Sequence, residues 1–115
     1  MVMHELRIAE DLTRIILEVA GKEKLSKVTD VNIIFGQMIQ IVPDIFQFAF
    51  NEAVRETIAE DAKVNIEILP VKMKCRVCQN EFIISENIFA CKSCSSVDLD
   101  MIQGKEIFIK SIEGE

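Results

Sequence analysis

The chain has 115 residues, half of them apolar, and 13 basic against 19 acidic residues leave a net charge of −6. That length supports one modest core with a small appended lobe, and the acidic balance works against nonspecific binding to phosphate backbones. The first ten residues are too charged for a signal peptide and no apolar run approaches the roughly 20 residues of a membrane span, so a cytoplasmic protein is expected.

From His4 to Ala20 the residues Ile8, Leu12, Ile15, Ile16 and Val19 recur at helical spacing, with Arg7, Asp11, Arg14 and Glu18 opposite. This predicts an amphipathic helix closed by Gly21 in the left-handed position. Lys27 to Phe35 alternates, with Val31, Ile33 and Phe35 on one face and Asp30 and Asn32 on the other, as in a half-buried strand. Gly36 interrupts it, and Gln37 to Val42 reads as a shorter extended piece. Pro43 and Asp44 then start a second helix over Ile45 to Glu60, whose stripe is Phe46, Ala49, Phe50, Ala53 and Thr57. Phe48 lies off that stripe and is the candidate for a subunit or partner contact. Val64, Ile66 and Ile68 form the next strand, limited by Pro70, and Glu106 to Ile112 form the last. The expected fold class is α+β: two helices packed on a small mixed β-sheet, with a zinc-ribbon-like lobe inserted before the last strand. The expected boundaries are 1–70 for the α+β lobe, 71–104 for the cysteine lobe and 105–115 for a strand returning to the first lobe.

All four cysteines fall into Cys75-Arg76-Val77-Cys78 and Cys91-Lys92-Ser93-Cys94, separated by a dozen residues. A CxxC turn presents two thiolates to one ion at about 2.3 Å, and two such turns complete a tetrahedron, so the spacing points to structural zinc. With all four positions taken by sulfur, none is left for a reactive water. Structural zinc contributes roughly 10–16 kcal/mol in small peptides, more than burial of Val77, Phe82, Ile84, Ile88 and Phe89 can offer. Two disulfides, a redox pair and an iron–sulfur centre are the competing readings. Lys72, Lys74, Arg76 and Lys92 are balanced by Glu81, Glu86, Asp98 and Asp100, so a zinc tetrathiolate leaves the lobe negative and disfavours nucleic acid.

Enzyme chemistry is not expected. His4 is the only histidine, the glycines form no phosphate loop, and the cysteines are committed to metal. His4 lies close to the N-terminus, where an amine, deprotonated amides and an imidazole form the tetragonal nitrogen set that suits Ni(II) or Cu(II). Glu5 beside it has a plainer reading, an acid stabilised by the free N–H groups of a first helical turn.

Met3-His4-Glu5-Leu6 opening a helix with Ile8-Ala9, Phe35-Gly36 closing a strand, Phe48-Ala49-Phe50 in the second helix and the paired CxxC motifs together resemble the HypA/HybF nickel-insertion proteins of nickel–iron hydrogenase maturation, over essentially the whole chain. The resemblance implies nickel at Met3, His4 and Glu5, and zinc at Cys75, Cys78, Cys91 and Cys94. It also implies a HypB-like GTPase partner and delivery to a hydrogenase large subunit, or to urease in some organisms, by a monomer or homodimer. Family members begin at the methionine before the histidine, whereas Met1 and Val2 precede it here. Nickel binding is expected if translation starts at Met3 or if Met1 is trimmed, and weaker binding if Met1 is kept. A zinc-ribbon adaptor that never carries nickel is the alternative.

Overall fold

The computed structural model describes residues 2–85 and 88–115, with side chains from His4 onward. Met1 and Glu86, and the side chain of Met3, therefore lie outside the described residues. The order is α1 (Val2–Lys22), β1 (Val28–Gly36), a 3-10 turn (Gln37–Ile39), α2 (Pro43–Ala53), β2 (Lys63–Leu69), β3 (Lys72–Cys75), β4 (Glu81–Ile83), β5 (Leu99–Gln103) and β6 (Ile107–Gly114).

These elements divide into two compact units, Met1–Ile34 with Ile41–Glu67 and Phe108–Glu115, and Phe35–Gln40 with Ile68–Ile107. In the first, the sheet order is β2-β1-β6, so the last strand pairs with β1. Reciprocal bonds between Lys27 and Glu115, 2.9 Å from the Glu115 N–H to the Lys27 carbonyl, set β1 and β6 antiparallel. Asn32 Nδ2 donates to Ser111 Oγ at 2.8 Å across the same pair. α1 and α2 pack on each other. Their buried faces are Ile8, Ala9, Leu12, Ile16 and Ala20 from α1, and Phe46, Ala49 and Phe50 from α2. Phe46 and Phe50 stack at 6.0 Å between ring centroids. Phe48 is 70% exposed, as a position one-half turn off the stripe must be.

Several local expectations change. Ile15 and Val19 belong to the α1 stripe by sequence but are 45% and 38% exposed, because the buried face is rotated toward Glu5, Ala9, Thr13 and Ala20. Gly21 does not close α1. The helix runs on to Lys22, and Lys24 takes the left-handed conformation (φ 57°). Leu25 N–H to Ala20 C=O at 2.9 Å and Lys24 N–H to Gly21 C=O at 3.2 Å complete a Schellman closure around it. Within the stretch Gln37 to Val42, Gln37–Ile39 form a 3-10 turn rather than an extended piece, with Gln40 left-handed behind it.

The second helix ends at Ala53, not Glu60. Thr57 Oγ1 donates to the Val54 carbonyl at 2.6 Å, and Glu60 Oε2 accepts the Glu56 N–H at 2.7 Å. Side chains thus take backbone bonds that a continuing helix would need.

The second unit carries a sheet of order β4-β3-β5 that the sequence reading did not resolve. β3 pairs antiparallel with both neighbours, Met73 opposite Phe82 on one side and Met101 on the other, with an irregularity at Lys72/Met73. Its core is Val71, Met73, Cys75, Phe82 and Cys91, with Ile84, Leu99 and Met101 packed against them. Val77, Ile88 and Phe89, expected to contribute, are exposed. Gly36 and Gly104 touch in this unit: a Cβ on Gly36 would fall 2.1 Å from the Gly104 carbonyl carbon.

Candidate metal centre

Each CxxC segment folds as a tight knuckle, for the same local reason. Gln79 N–H bonds the Cys75 carbonyl at 2.9 Å, and Ser95 N–H bonds the Cys91 carbonyl at 2.9 Å. These reversals need a left-handed residue after the second cysteine of each pair, which Gln79 (φ 68°) and Ser95 (φ 66°) supply. Neither is glycine, so both positions are strained. That signal was missed in the sequence because the residue types do not announce it.

The knuckles bring the four sulfurs within 4.8 Å of one another. Cys75 and Cys94 Sγ are 3.6 Å apart, Cys78 and Cys91 Sγ 3.5 Å. A tetrahedron with ion–sulfur distances of about 2.3 Å has edges of about 3.8 Å, so the donors stand close to the spacing of a zinc tetrathiolate. No disulfide joins them. Cys75 and Cys91 are buried at the base, Cys78 and Cys94 exposed at the tips.

Backbone N–H groups prepare the sulfurs for charge. Cys78 N–H approaches Cys75 Sγ at 3.5 Å, while Ser93 and Cys94 N–H groups approach Cys91 Sγ at 3.4 and 3.5 Å. The Cys78 N–H is the largest influence holding Cys75 below the ordinary thiol range. The Cys94 N–H, assisted by that of Ser93, lowers Cys91 to about 6. For Cys94 the Ser96 N–H favours the thiolate, but lost solvation and the three neighbouring sulfurs outweigh it and push the group up to about 12. Cys78 is raised in the same way, Cys91, lost solvation and Cys75 outweighing the Asn80 N–H. Backbone donors thus favour charge on the two base sulfurs, and crowding disfavours it on the two tip sulfurs, the coupling expected of like charges.

Arg76 adds a clamp that the sequence showed only as one charge among several. Its N–H bonds the Asp98 carbonyl at 3.0 Å, Nη1 pairs with Asp98 at 3.0 Å, and Nη2 pairs with Asp100. Asp100 is held below the usual carboxylate range by the Arg76 hydrogen bond. The first knuckle is thus tied to the strand that follows the second.

Among the described residues, His4 and Glu5 are not gathered in this way. His4 is exposed in the first turn of α1, whereas Glu5 is fully buried. Both Glu5 carboxyl oxygens lack a hydrogen-bond partner among the described residues. The expectation that first-turn N–H groups stabilise Glu5 is therefore not met. The cysteine quartet is the only group of three or more clustered His, Cys, Asp or Glu donors among the described residues.

Residues 3–114 match the family model described as hydrogenase/urease nickel incorporation, metallochaperone, HypA. A hydrogenase maturation factor HypA of Desulfitobacterium hafniense is 35% identical over 113 residues, 98% of this chain and 99% of that protein. Another, from Desulfatibacillum aliphaticivorans, is 37% identical over 112 residues, 96% of this chain and 86% of that protein. A solution structure of a HypA protein superposes with a TM-score of 0.76 at 25% identity, covering 98% of this chain and 97% of that one. The nickel metallochaperone HypA from Helicobacter pylori shares the fold, with a TM-score of 0.71 at 24% identity over 96% of each chain. With two helices, small sheets, a four-sulfur cage and full-length similarity in agreement, this chain belongs to the HypA family of hydrogenase nickel metallochaperones.

Proposed function

We propose that the chain holds zinc permanently in the Cys75, Cys78, Cys91 and Cys94 cage and carries nickel as transferable cargo at the start of α1, with His4 as principal donor and Glu5 and Met3 as further contacts. The observation that carries the nickel assignment is Glu5, a fully buried carboxyl group with both oxygens unpartnered among the described residues, next to the only histidine. A buried carboxyl without hydrogen bonds is costly unless a cation or proton meets it. The positive end of a helix repels a cation. A carboxylate there offsets that repulsion.

Successive helical residues point about 100° apart. One ion takes both His4 and Glu5 only if the first turn of α1 rearranges, which makes loading and release a local conformational step rather than a global one. The zinc cage, with no open position, contributes shape and no turnover chemistry. The protein acts in the cytoplasm, transfers nickel without catalysing a reaction, and meets a HypB-like GTPase and a hydrogenase large subunit, or the urease maturation proteins.

Nickel titration of the zinc-loaded protein with its native N-terminus tests this reading. One exchangeable nickel per chain is expected beside one retained zinc, and His4→Ala should abolish nickel binding while leaving zinc in place. Equal nickel affinity in His4→Ala overturns the donor assignment. Retained zinc with no nickel uptake at all leaves the adaptor reading in its place.

A further inference from the structure

Among the described residues β6 is the outermost strand of its sheet, with β1 on one side and no strand on the other. Its outer backbone edge is a template for an added strand. Alongside that edge lies a groove of about 770 Å³ between α1 and residues 109–114. Its apolar floor is Ile15, Val19 and Leu25, two of which the α1 stripe left facing outward. Side chains at alternate positions of an extended strand repeat about every 6.7 Å, close to the step of about 6 Å between Ile15 and Val19 along their helix, so the spacing of the floor suits two successive inward side chains.

Charge selects among occupants. Lys110 on the groove is paired with Glu67 at 3.8 Å, whereas Glu23 and Glu113 have no ion pair among the described residues. The rim is therefore acidic, in a chain of net charge −6. A second copy of β6 would set Glu113 and Glu115 against this same acidic rim, and like charges at short range disfavour it. We infer that the β6 edge and the adjoining groove bind an extended segment of a partner protein in which apolar side chains alternate with basic ones. Main-chain bonds to β6 supply affinity, the Ile15 and Val19 floor supplies side-chain selection, and Glu23 and Glu113 supply charge preference. The surface does not depend on the nickel assignment.

The test uses full-length, zinc-loaded, isotopically labelled protein without nickel and a capped eight-residue peptide alternating valine with lysine. Binding is followed by fluorescence anisotropy, and docking by amide hydrogen exchange along Ile107–Gly114. The expected result is slowed exchange at outward N–H groups of β6 on peptide addition. Binding should weaken at least tenfold when the peptide carries N-methyl groups on its pairing edge, when its lysines are replaced by glutamates, and in Val19→Ser or Glu113→Lys. The peptide arms need no variant, so they stand even if a substitution impairs folding. Unchanged exchange in β6, or equal binding by the N-methylated peptide, overturns the inference. Protection of β6 that rises with protein concentration in the absence of peptide assigns the edge to a second copy instead.

Discussion

Gln79 and Ser95 show how much of the cage depends on single backbone angles. Both hold left-handed conformations after the second cysteine of a knuckle, where glycine sits without a Cβ clash. Replacing either with glycine is expected to stabilise the zinc-loaded protein by about 0.5–1 kcal/mol, less the extra entropy glycine gives the unfolded chain. Urea unfolding followed by circular dichroism measures it, and a loss of stability would show that the Gln79 or Ser95 side chain has a role the angles conceal. Glu5 makes the opposite trade. Because its buried oxygens find no partner, Glu5→Met should raise the unfolding free energy of nickel-free protein by about 1–3 kcal/mol. The same change should weaken nickel binding, and a nickel titration beside the thermal melt reads both. The four cysteines were legible in the sequence as a donor set, because their paired spacing brings them together. That Glu5 is buried was not, because burial of one helical residue depends on which way the helix is turned against its neighbours.

At the scale of elements, α1, β1 and β2 were readable because a period of 3.6 or 2 leaves a direct trace in the apolar pattern. The end of α2 was not, since Thr57 and Glu60 compete for backbone bonds through side chains that are ordinary in a helix. β3, β4 and β5 are three to five residues long, too short to show a period. Gly36 tests the packing of the β1 end. Gly36→Ala would drive a Cβ to 2.1 Å from the Gly104 carbonyl carbon and 2.2 Å from its oxygen, both backbone atoms. A loss of about 1–3 kcal/mol or more is expected, measured as a lowered urea midpoint. A midpoint shift below that range would mean the 104–106 segment yields easily. The Arg76 clamp makes a different forecast. Its pairs with Asp98 and Asp100 are solvent-exposed, so Arg76→Ala should change stability little at physiological salt while loosening the 96–100 segment, seen as faster amide exchange there.

For the whole molecule, the two units differ in what holds them. The first buries Ile16, Ile33, Phe46 and Phe50, a core of large side chains. The second has a small cluster in which Cys75 and Cys91 are themselves members. Chelating the zinc should therefore abolish amide protection in β3 to β5 while β1 residues 28–34 stay protected, a contrast hydrogen exchange resolves directly. Acidification should act through the same cage. Zinc binding takes all four sulfurs as thiolates, and protons must leave those whose pKa is raised, Cys78 and Cys94, the latter pushed up to about 12, while Cys91 is lowered to about 6. Release of those protons makes affinity rise with pH near neutrality and fall as pH drops. Chelator competition at two pH values measures that slope, and a flat response would mean the tip sulfurs are already deprotonated. By itself the sequence determined the α+β class and the paired CxxC spacing, because spacing along the chain fixes helical faces, strand alternation and knuckle geometry through local stereochemistry. Only the tertiary structure decided that α1 turns Glu5 inward and Ile15 and Val19 outward, and that β6 lies at the edge of the sheet among the described residues. Those outcomes follow from how elements distant in sequence share buried surface, which no local pattern encodes.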